Sequence, residues 1–532
     1  MKNLPDYQLP RDDLLWAVSH LCKYGDTDIF PVSPEYLAVK AFRDDVVNRL
    51  AGLNLKGYQF RTPRRISVPK VIGGYRVASQ LEPDDAIMYT ALAFGVCQKV
   101  ESGRIAQRRK ISCSYRVKLA KDGGFFCDNN GYDDYKESTV KHLAKRTSKY
   151  VLSIDISDFY NQISHHRIRN NLDSTGCNVD ITKHIENCLN QFCSNHHSRG
   201  IPVGPSGSII LAEAALMDFD DWILREGSPF CRYVDDFRVF FSTVKKAIEF
   251  LDRFTLELYG SHRLSPNSTK TFIQTKGDFL GSEIIDEEAL EEEQKVAKLW
   301  EIVSKSEHPY DEYEIDEDDN LKATMDAIAE LFDKVQNDEQ LPLGLTRFVL
   351  RRARQLRLRK IANSLLDDLD MFVPVIRDVV YYIVAVDRSN KHGYARRFAD
   401  HFTRASEYCG IPYIQEWVLY LGFAVPKMYT RYSQYESLLK RVSPELRNRY
   451  EPLIASVSGK WEVIRSYKEK VDGLNSREKR AVVMASCVLS DDEKKHWLSR
   501  FQNDKQDCTL AACAKWAKAN KSLQATPLTR RS

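Results

Sequence analysis

The stretch Cys231-Arg-Tyr233-Val-Asp235-Asp236-Phe-Arg-Val-Phe-Phe241 sets two adjacent acids between hydrophobic flanks. Short runs rich in aromatic and β-branched residues, separated by a polar break, predict a β-hairpin or strand pair with the acids at its turn. Alone, such a pair fits a solvated turn. A second stretch changes its meaning. Val151-Leu-Ser-Ile-Asp155-Ile-Ser-Asp158-Phe-Tyr160 predicts a buried strand, Val151–Ile156, with an acid near its end. Joining nucleotides into a polymer calls for two divalent cations a few ångströms apart, one on the attacking hydroxyl and one on the triphosphate. Hard cations of this kind take carboxylate oxygens. Aspartates delivered to one point by adjacent strands supply them.

Around these stretches, from Tyr150 to Gly281, strand and helix patterns alternate, with a helix predicted over Ser208–Trp222. Upstream, Tyr58–Tyr150 reads as short β-like runs (Ile66–Pro69, Tyr75–Ser79, Ser114–Leu119) broken by Gly73-Gly74 and Gly123-Gly124. Met1–Gly57 is mostly helical, with Leu14, Leu15, Ala17, Val18 and Leu21 at helix spacing. Beyond Gly281 strand signals almost vanish. Glu283–Asp319 carries sixteen acids against three lysines; Arg347–Lys360 carries seven Arg or Lys and no acid. Helices are expected over Leu321–Val335, Ile361–Leu369 and Asp491–Phe501, in a texture that suits a degenerate helical-repeat array. Three regions result: a helical segment 1–57, a mixed region 58–285, and an α-helical domain 286–532.

The 532 residues, 43% hydrophobic and 29% charged, exclude a disordered or fibrous chain. A net charge of +4 leaves any nucleic-acid footprint to the distribution of charge. No apolar run approaches membrane-spanning length. Met1–Asp13 places acids and two prolines where a signal peptide wants basic and apolar residues, so a cytoplasmic location is expected. Twelve cysteines are too sparse for a disulfide scaffold. Cys188, Cys193, His196 and His197 lie close in sequence, but the spacing is loose for zinc and no second cysteine pair follows; they read as thiols and loop histidines. Cys508 and Cys513 read as packing residues.

Taken in order, the motifs add up. Ile66-Ser-Val-Pro69-Lys70-Val-Ile-Gly-Gly-Tyr-Arg76, Asp155 with Tyr160, Gly200-Ile-Pro-Val203-Gly204-Pro-Ser-Gly-Ser208, Tyr233-Val-Asp235-Asp236, Asn267-Ser-Thr-Lys270-Thr271 and Phe279-Leu-Gly281 resemble the fingers and palm of reverse transcriptases. The resemblance covers about residues 60–285. It implies an α+β right-hand polymerase core (fingers and palm), followed by the all-α, helical-repeat-like C-terminal domain. It also implies an RNA-directed DNA polymerase using Mg²⁺, with Mn²⁺ as a substitute. Residue by residue, it assigns Asp155, Asp235 and Asp236 as catalytic, metal-holding carboxylates. It places Tyr160 under the sugar, where a 2′-hydroxyl would clash, and Lys70 and Arg76 over the triphosphate. Lys270 is assigned to the leaving pyrophosphate, Val203 and Gly204 to the incoming nucleotide, and Phe279–Gly281 to a turn bracing the primer end.

Val203 departs from the family pattern, which most often has glutamine there. Gly-Ile-Pro-Val-Gly-Pro followed by Leu211-Ala-Glu213 is similar to bacterial abortive-infection and defence-associated reverse transcriptases, as is Gln80-Leu-Glu-Pro-Asp84-Asp85. That branch carries a large helical domain, and several members oligomerise and extend DNA from a protein hydroxyl. The resemblance thus implies bacterial antiphage defence with untemplated, protein-primed synthesis. Two alternatives stand: a retron-type or other RNA-templated enzyme using a dedicated non-coding RNA, and a catalytically idle RNA-binding scaffold. Three converging carboxylates are costly and argue against the scaffold. Implied partners are dNTPs, RNA or DNA, and further copies of the chain, with no membrane.

Arg347, Arg351, Arg354 and Arg357 fall near one face if the helix runs through them. Such a ridge binds phosphate backbones, or pairs within the fold with the acidic Glu283–Asp319 stretch. Nucleic acid is the preferred reading.

Overall fold

The computed structural model describes residues 4–27, 29–70, 74–121, 123–126, 131–194, 196–283, 321–338 and 341–525. These form two compact units. One draws on Met1–Ala17, Ala51–Pro63 and Asp85–His308; the other draws on Val18–Leu50, Arg64–Asp84 and Pro309–Ser532.

The first unit holds a four-stranded antiparallel sheet. Its strands are β3 (Tyr150–Asp155), β4 (Phe230–Tyr233), β5 (Asp236–Phe241) and β6 (Phe272–Thr275), in the order β4-β5-β3-β6. The apolar runs that predict strands here are buried: Val151, Leu152, Ile154, Phe237, Val239 and Phe240 are at most 2% exposed. The helix Val244–Glu257 packs on β3 and β5, with Phe250 and Phe254 fully buried. At roughly 1.5–3 kcal/mol for each large apolar side chain, this burial fixes the register. That register sets Asp155 opposite Asp236.

Three local expectations are corrected. The helix expected over Ser208–Trp222 is two helices, Ser206–Ala215 and Met217–Arg225, with the chain turning at Leu216. Ser114–Leu119 is not a strand; only Val117 bridges, to Phe126. Carbonyls a ladder would use are taken by an arginine: Arg104 donates to Ser114 O at 2.7 Å and to Tyr115 O at 3.3 Å. Ala86–Phe94 reads as helical in the sequence and lies in the helix Pro83–Gly103, whereas within the stretch read as β-like there is a further helix, Tyr132–Leu143. The latter buries only Tyr135, Ser138, Thr139 and Leu143, too few apolar positions for its period to show.

In the second unit, β1 (Arg64–Pro69) and β2 (Tyr75–Gln80) form an antiparallel hairpin. Arg64 bonds Glu416 at 2.7 Å and Glu445 at 3.2 Å, which fixes the open end of this hairpin to two helices. Asp84 accepts from the amides of Cys508 and Thr509, at 2.8 and 3.0 Å, in the first turn of Cys508–Ala519. Downstream, every described element is helical. Leu343–Gln355 packs on Ile376–Asp387, that helix on Pro412–Ala424, then on Pro444–Val457, Ser476–Ala485 and Cys508–Ala519. Each helix of this series meets the next, with other helical segments between them along the chain, so a continuous core forms by stacking. Past Glu283 the acidic stretch lies outside the described residues, as do residues 71–73 of the fingers motif.

Among the described residues no helix is long and apolar enough to cross a membrane. The described cysteines are free, and Cys188, Cys193, Cys508 and Cys513 are buried. The Cys193 Sγ–H points to the Arg199 carbonyl at 3.2 Å, as an ordinary thiol does.

Candidate active site

Asp155 ends β3, and Asp236 opens β5 as its cross-strand partner. Between β4 and β5 the chain reverses in two residues, Val234 and Asp235, since Tyr233 pairs directly with Asp236. Val234 has φ +56°. Left-handed backbone suits a tight hairpin, but for a β-branched residue it is strained, at a cost of roughly 1–3 kcal/mol.

Burial and neighbouring carboxylates shift two of the aspartates. Desolvation and the charges of Asp236 and Asp155 push Asp235 up to about 7. Partial desolvation and the facing Asp155 carboxylate push Asp236 up to about 6. A shared site with too much negative charge behaves in this way.

Asp155 is steadied by two groups from one loop. Lys270 Nζ lies 3.1 Å from Oδ1, and Asn267 Nδ2 donates to Oδ2 at 2.9 Å. The Asn267 amide also donates to the Asp155 carbonyl at 2.7 Å. Partial burial works against the Lys270 charge, but its bond to Asp155 and the three nearby carboxylates raise its pKa. Reading the sequence gave Asn267 no role, although it opens the quoted Asn267–Thr271 motif.

Tyr160 lies in the short helix Phe159–Gln162, directly after β3. Burial, with the Tyr115 phenol and the Asp235 carboxylate nearby, raises its pKa well above the usual phenol value. Its carbonyl accepts from the Ile201 amide at 2.9 Å, so the Gly200–Gly204 segment is stitched alongside. Gly200 has φ +86°, and a Cβ there would stand 3.0 Å from the Asn161 carbonyl, so the close approach requires glycine. Gly204 has φ +131° and Val203 is half-buried.

Lys70 and Arg76 lie on the β1–β2 hairpin of the second unit, Lys70 exposed and Arg76 half-buried beside its partner Val68. Phe279 is buried with Val151 and Phe240, and Arg238 lies 5.0 Å from its ring centre. Phe279–Gly281 belongs to the helix Lys276–Glu283 rather than to a turn.

The four arginines do not share one ridge. The helix ends at Gln355, and Arg357, at φ +49°, lies beyond it. Arg351 donates to Asp378 at 3.0 Å, with Arg347 at 4.0 Å from the same carboxylate. Arg354 lies over Tyr381, 5.8 Å from the ring centre, and Tyr382 donates its hydroxyl to Leu358 O. Of the four, only Arg357 is exposed.

Among the described residues no three His, Cys, Asp or Glu side chains form a ready-made metal cage. The donor set nonetheless fits a hard divalent cation. It is all oxygen, Asp235 and Asp236 are both raised by burial and a neighbouring carboxylate, and a lysine ammonium rests on Asp155 as a stand-in charge.

No curated protein matches the chain. Among solved structures, telomerase from Candida albicans in complex with the TWJ fragment of telomeric RNA is 10% identical, with 73% of this chain and 65% of that one covered and a TM-score of 0.31. Telomerase from Candida tropicalis in complex with the TWJ fragment of telomeric RNA is 13% identical, with 72% and 64% covered and a TM-score of 0.31. The chain thus spans just under two thirds of the length of these two. Residues 68–284, which hold every strand described above except the first residues of β1, match the family model described as reverse transcriptase (RNA-dependent DNA polymerase). This chain therefore carries, over residues 68–284, a domain that matches the reverse transcriptase (RNA-dependent DNA polymerase) family.

Proposed function

We propose that the site extends DNA from dNTPs at Asp155, Asp235 and Asp236, and that the chain serves bacterial antiphage defence by untemplated, protein-primed synthesis. The observation that carries the catalytic part is the convergence of Asp155 and Asp236 as cross-strand partners, with Asp235 in the adjoining turn and Asp155 held by Lys270 and Asn267. Divalent cations held by these carboxylates would activate the attacking hydroxyl and neutralise the triphosphate. The protein's own groups do the rest. Asn267 fixes the Asp155 carboxylate. Lys270, 62% exposed at its side chain, is free to exchange Asp155 for the departing pyrophosphate. Tyr160 packs beneath the sugar and excludes a 2′-hydroxyl. Lys70 and Arg76 supply a point charge and a planar fork for the triphosphate.

Two features support the defence reading. Val203 offers no hydrogen bond where templated enzymes use glutamine, and the second unit is a stack of alternate helices like a repeat domain. A tyrosine or serine hydroxyl can take the place of a primer 3′-hydroxyl without further catalytic groups. The experiment is denaturing electrophoresis of protein incubated with labelled dNTPs and Mg²⁺, without nucleic acid, then with nuclease or protease. Label that stays on the polypeptide and is released by nuclease supports protein priming. Label that appears only with added primer and RNA template refutes it and leaves copying.

A further inference from the structure

Beneath the Val234–Asp235 turn lies a buried polar cluster that the polymerase motifs do not assign. Arg232, in β4, is wholly buried, and its guanidinium bonds Asp220 at 2.6 and 2.8 Å, Glu213 at 3.1 Å and Ser112 Oγ at 2.9 Å. Arg104 joins the cluster, donating to the same Ser112 hydroxyl at 2.9 Å and lying 2.8 Å from Glu213. Arg104 also lies 3.6 Å from Glu101, which Arg116 pairs at 2.5 Å, so three guanidiniums face three carboxylates and the cluster is neutral. Burial opposes ionisation of Glu213, yet Arg104 and Arg232 hold its pKa below the usual value. Truncating one partner of such a cluster leaves a buried charge uncompensated, so its geometry is stiff.

This rigid cluster reaches the strained residue through two bonds. Arg232 Nη1 donates to the Val234 carbonyl at 2.7 Å, and the Val234 amide donates to Ser114 Oγ at 2.9 Å. Ser114, itself 0% exposed, donates its hydroxyl to Glu213 and so is fixed as an acceptor toward Val234. Both backbone groups of Val234 are thus held by side chains anchored elsewhere. Without them, a valine would relax out of φ > 0 and carry the next residue, Asp235, with it.

We infer that Ser114 and Arg232, braced by Glu213, are positioning residues that hold Val234 in its left-handed conformation and so aim Asp235 at the reacting phosphate. The inference rests on the polymerase reading of Asp235. It explains how a β-branched residue persists at the tip of the hairpin, and it gives Glu213 of the Leu-Ala-Glu segment a physical task.

The test uses the full chain, with incorporation of labelled dNTP and hydrogen–deuterium exchange read in parallel. Ser114→Ala should lower kcat at least tenfold with the KM for dNTP changed less than twofold, because aim and not substrate binding is lost. In metal-free protein, exchange over residues 230–241 should rise while the flanking helices stay protected. Adding Val234→Asn to Ser114→Ala should recover most of the lost kcat, since asparagine tolerates φ > 0 without the clamp. An unchanged kcat in Ser114→Ala, a loss shared equally with KM, or no recovery in the double variant overturns the inference. Should Ser114→Ala not fold, Val234→Asn alone decides: a raised unfolding midpoint is expected from relieved strain, and a lowered one overturns it. A wild-type protein that incorporates nothing would instead sink the polymerase reading, and exchange at the hairpin would still report on the clamp.

Discussion

Two clusters of charge meet at one β-hairpin and obey opposite rules. Around Arg232, guanidiniums and carboxylates balance, and the guanidinium of Arg232 makes five hydrogen bonds to side chains and backbone. Three residues further on, Asp235 and Asp236, with Asp155, gather negative charge with Lys270 and Arg238 against them. The balanced cluster is buried and rigid. The unbalanced one is partly open, and its repulsion becomes useful when a cation arrives. Neutrality marks the scaffold, and stored charge marks the chemistry.

The sharpest way to break this contrast is Asp235→Asn. If the aspartates hold metal, incorporation should fall by about 10³-fold or more, the loss of several kcal/mol of transition-state stabilisation. The same change should raise the thermal midpoint of metal-free protein at pH 8, because one repelling charge is gone. Retained incorporation would remove the hairpin from the site. A lowered midpoint would show that the cluster is balanced after all.

The pH dependence sharpens it further. Asp235 and Asp236 are raised in the folded state, to about 7 and about 6. Between the ordinary carboxylate pKa and these values the folded protein binds more protons than the unfolded chain, so metal-free stability should fall as pH rises from about 4 to 7. Over the upper part of that window incorporation should increase, as the carboxylates ionise and accept cations. Asp235→Asn should flatten the stability slope. A slope of opposite sign would mean that the carboxylates are already neutralised by the protein.

A change at Arg351 tests the same rule in the second unit. Arg351→Ala leaves Asp378 buried with weaker compensation, and about 3 kcal/mol of stability should be lost. Nucleic-acid affinity should not move. In the palm, Tyr160→Ala should cut discrimination between dNTP and rNTP, read as a kcat/KM ratio, by about tenfold. An unchanged ratio would make Tyr160 a packing residue.

How legible these features were in the sequence follows from the range of the forces involved. β3 and the β4–β5 hairpin could be read because continuous apolar runs bounded by acids are local patterns. The clamp could not. Ser114 is 99 residues from Glu213 and 120 from Val234, and no periodicity links them. The Ser208–Trp222 helix was legible except at Leu216, where its break lets Glu213 and Asp220 both reach Arg232. The arginine helix looked like a ridge because its partner, Asp378, lies 27 residues beyond Arg351. Its end at Gln355 carries no glycine or proline to mark a stop.

The smallest expected effect belongs to Arg357, and it separates the two readings of the basic stretch. Arg351 and Arg347 already have Asp378, and Arg354 lies over Tyr381, so removing them disturbs packing first. Arg357 stands outside the helix, exposed, beside an open cleft it lines with Arg359 and Arg388. A guanidinium there can neutralise a phosphate and release one counterion. Arg357→Ala should therefore leave the thermal midpoint unchanged, weaken binding of single-stranded DNA modestly, and reduce the slope of log K against log salt by about 1. Titrations at several salt concentrations, wild type beside variant, read this directly. An unchanged slope would remove Arg357 from nucleic-acid binding. A lowered midpoint would give it the balanced, structural role of Arg232 rather than the uncompensated one of the aspartates.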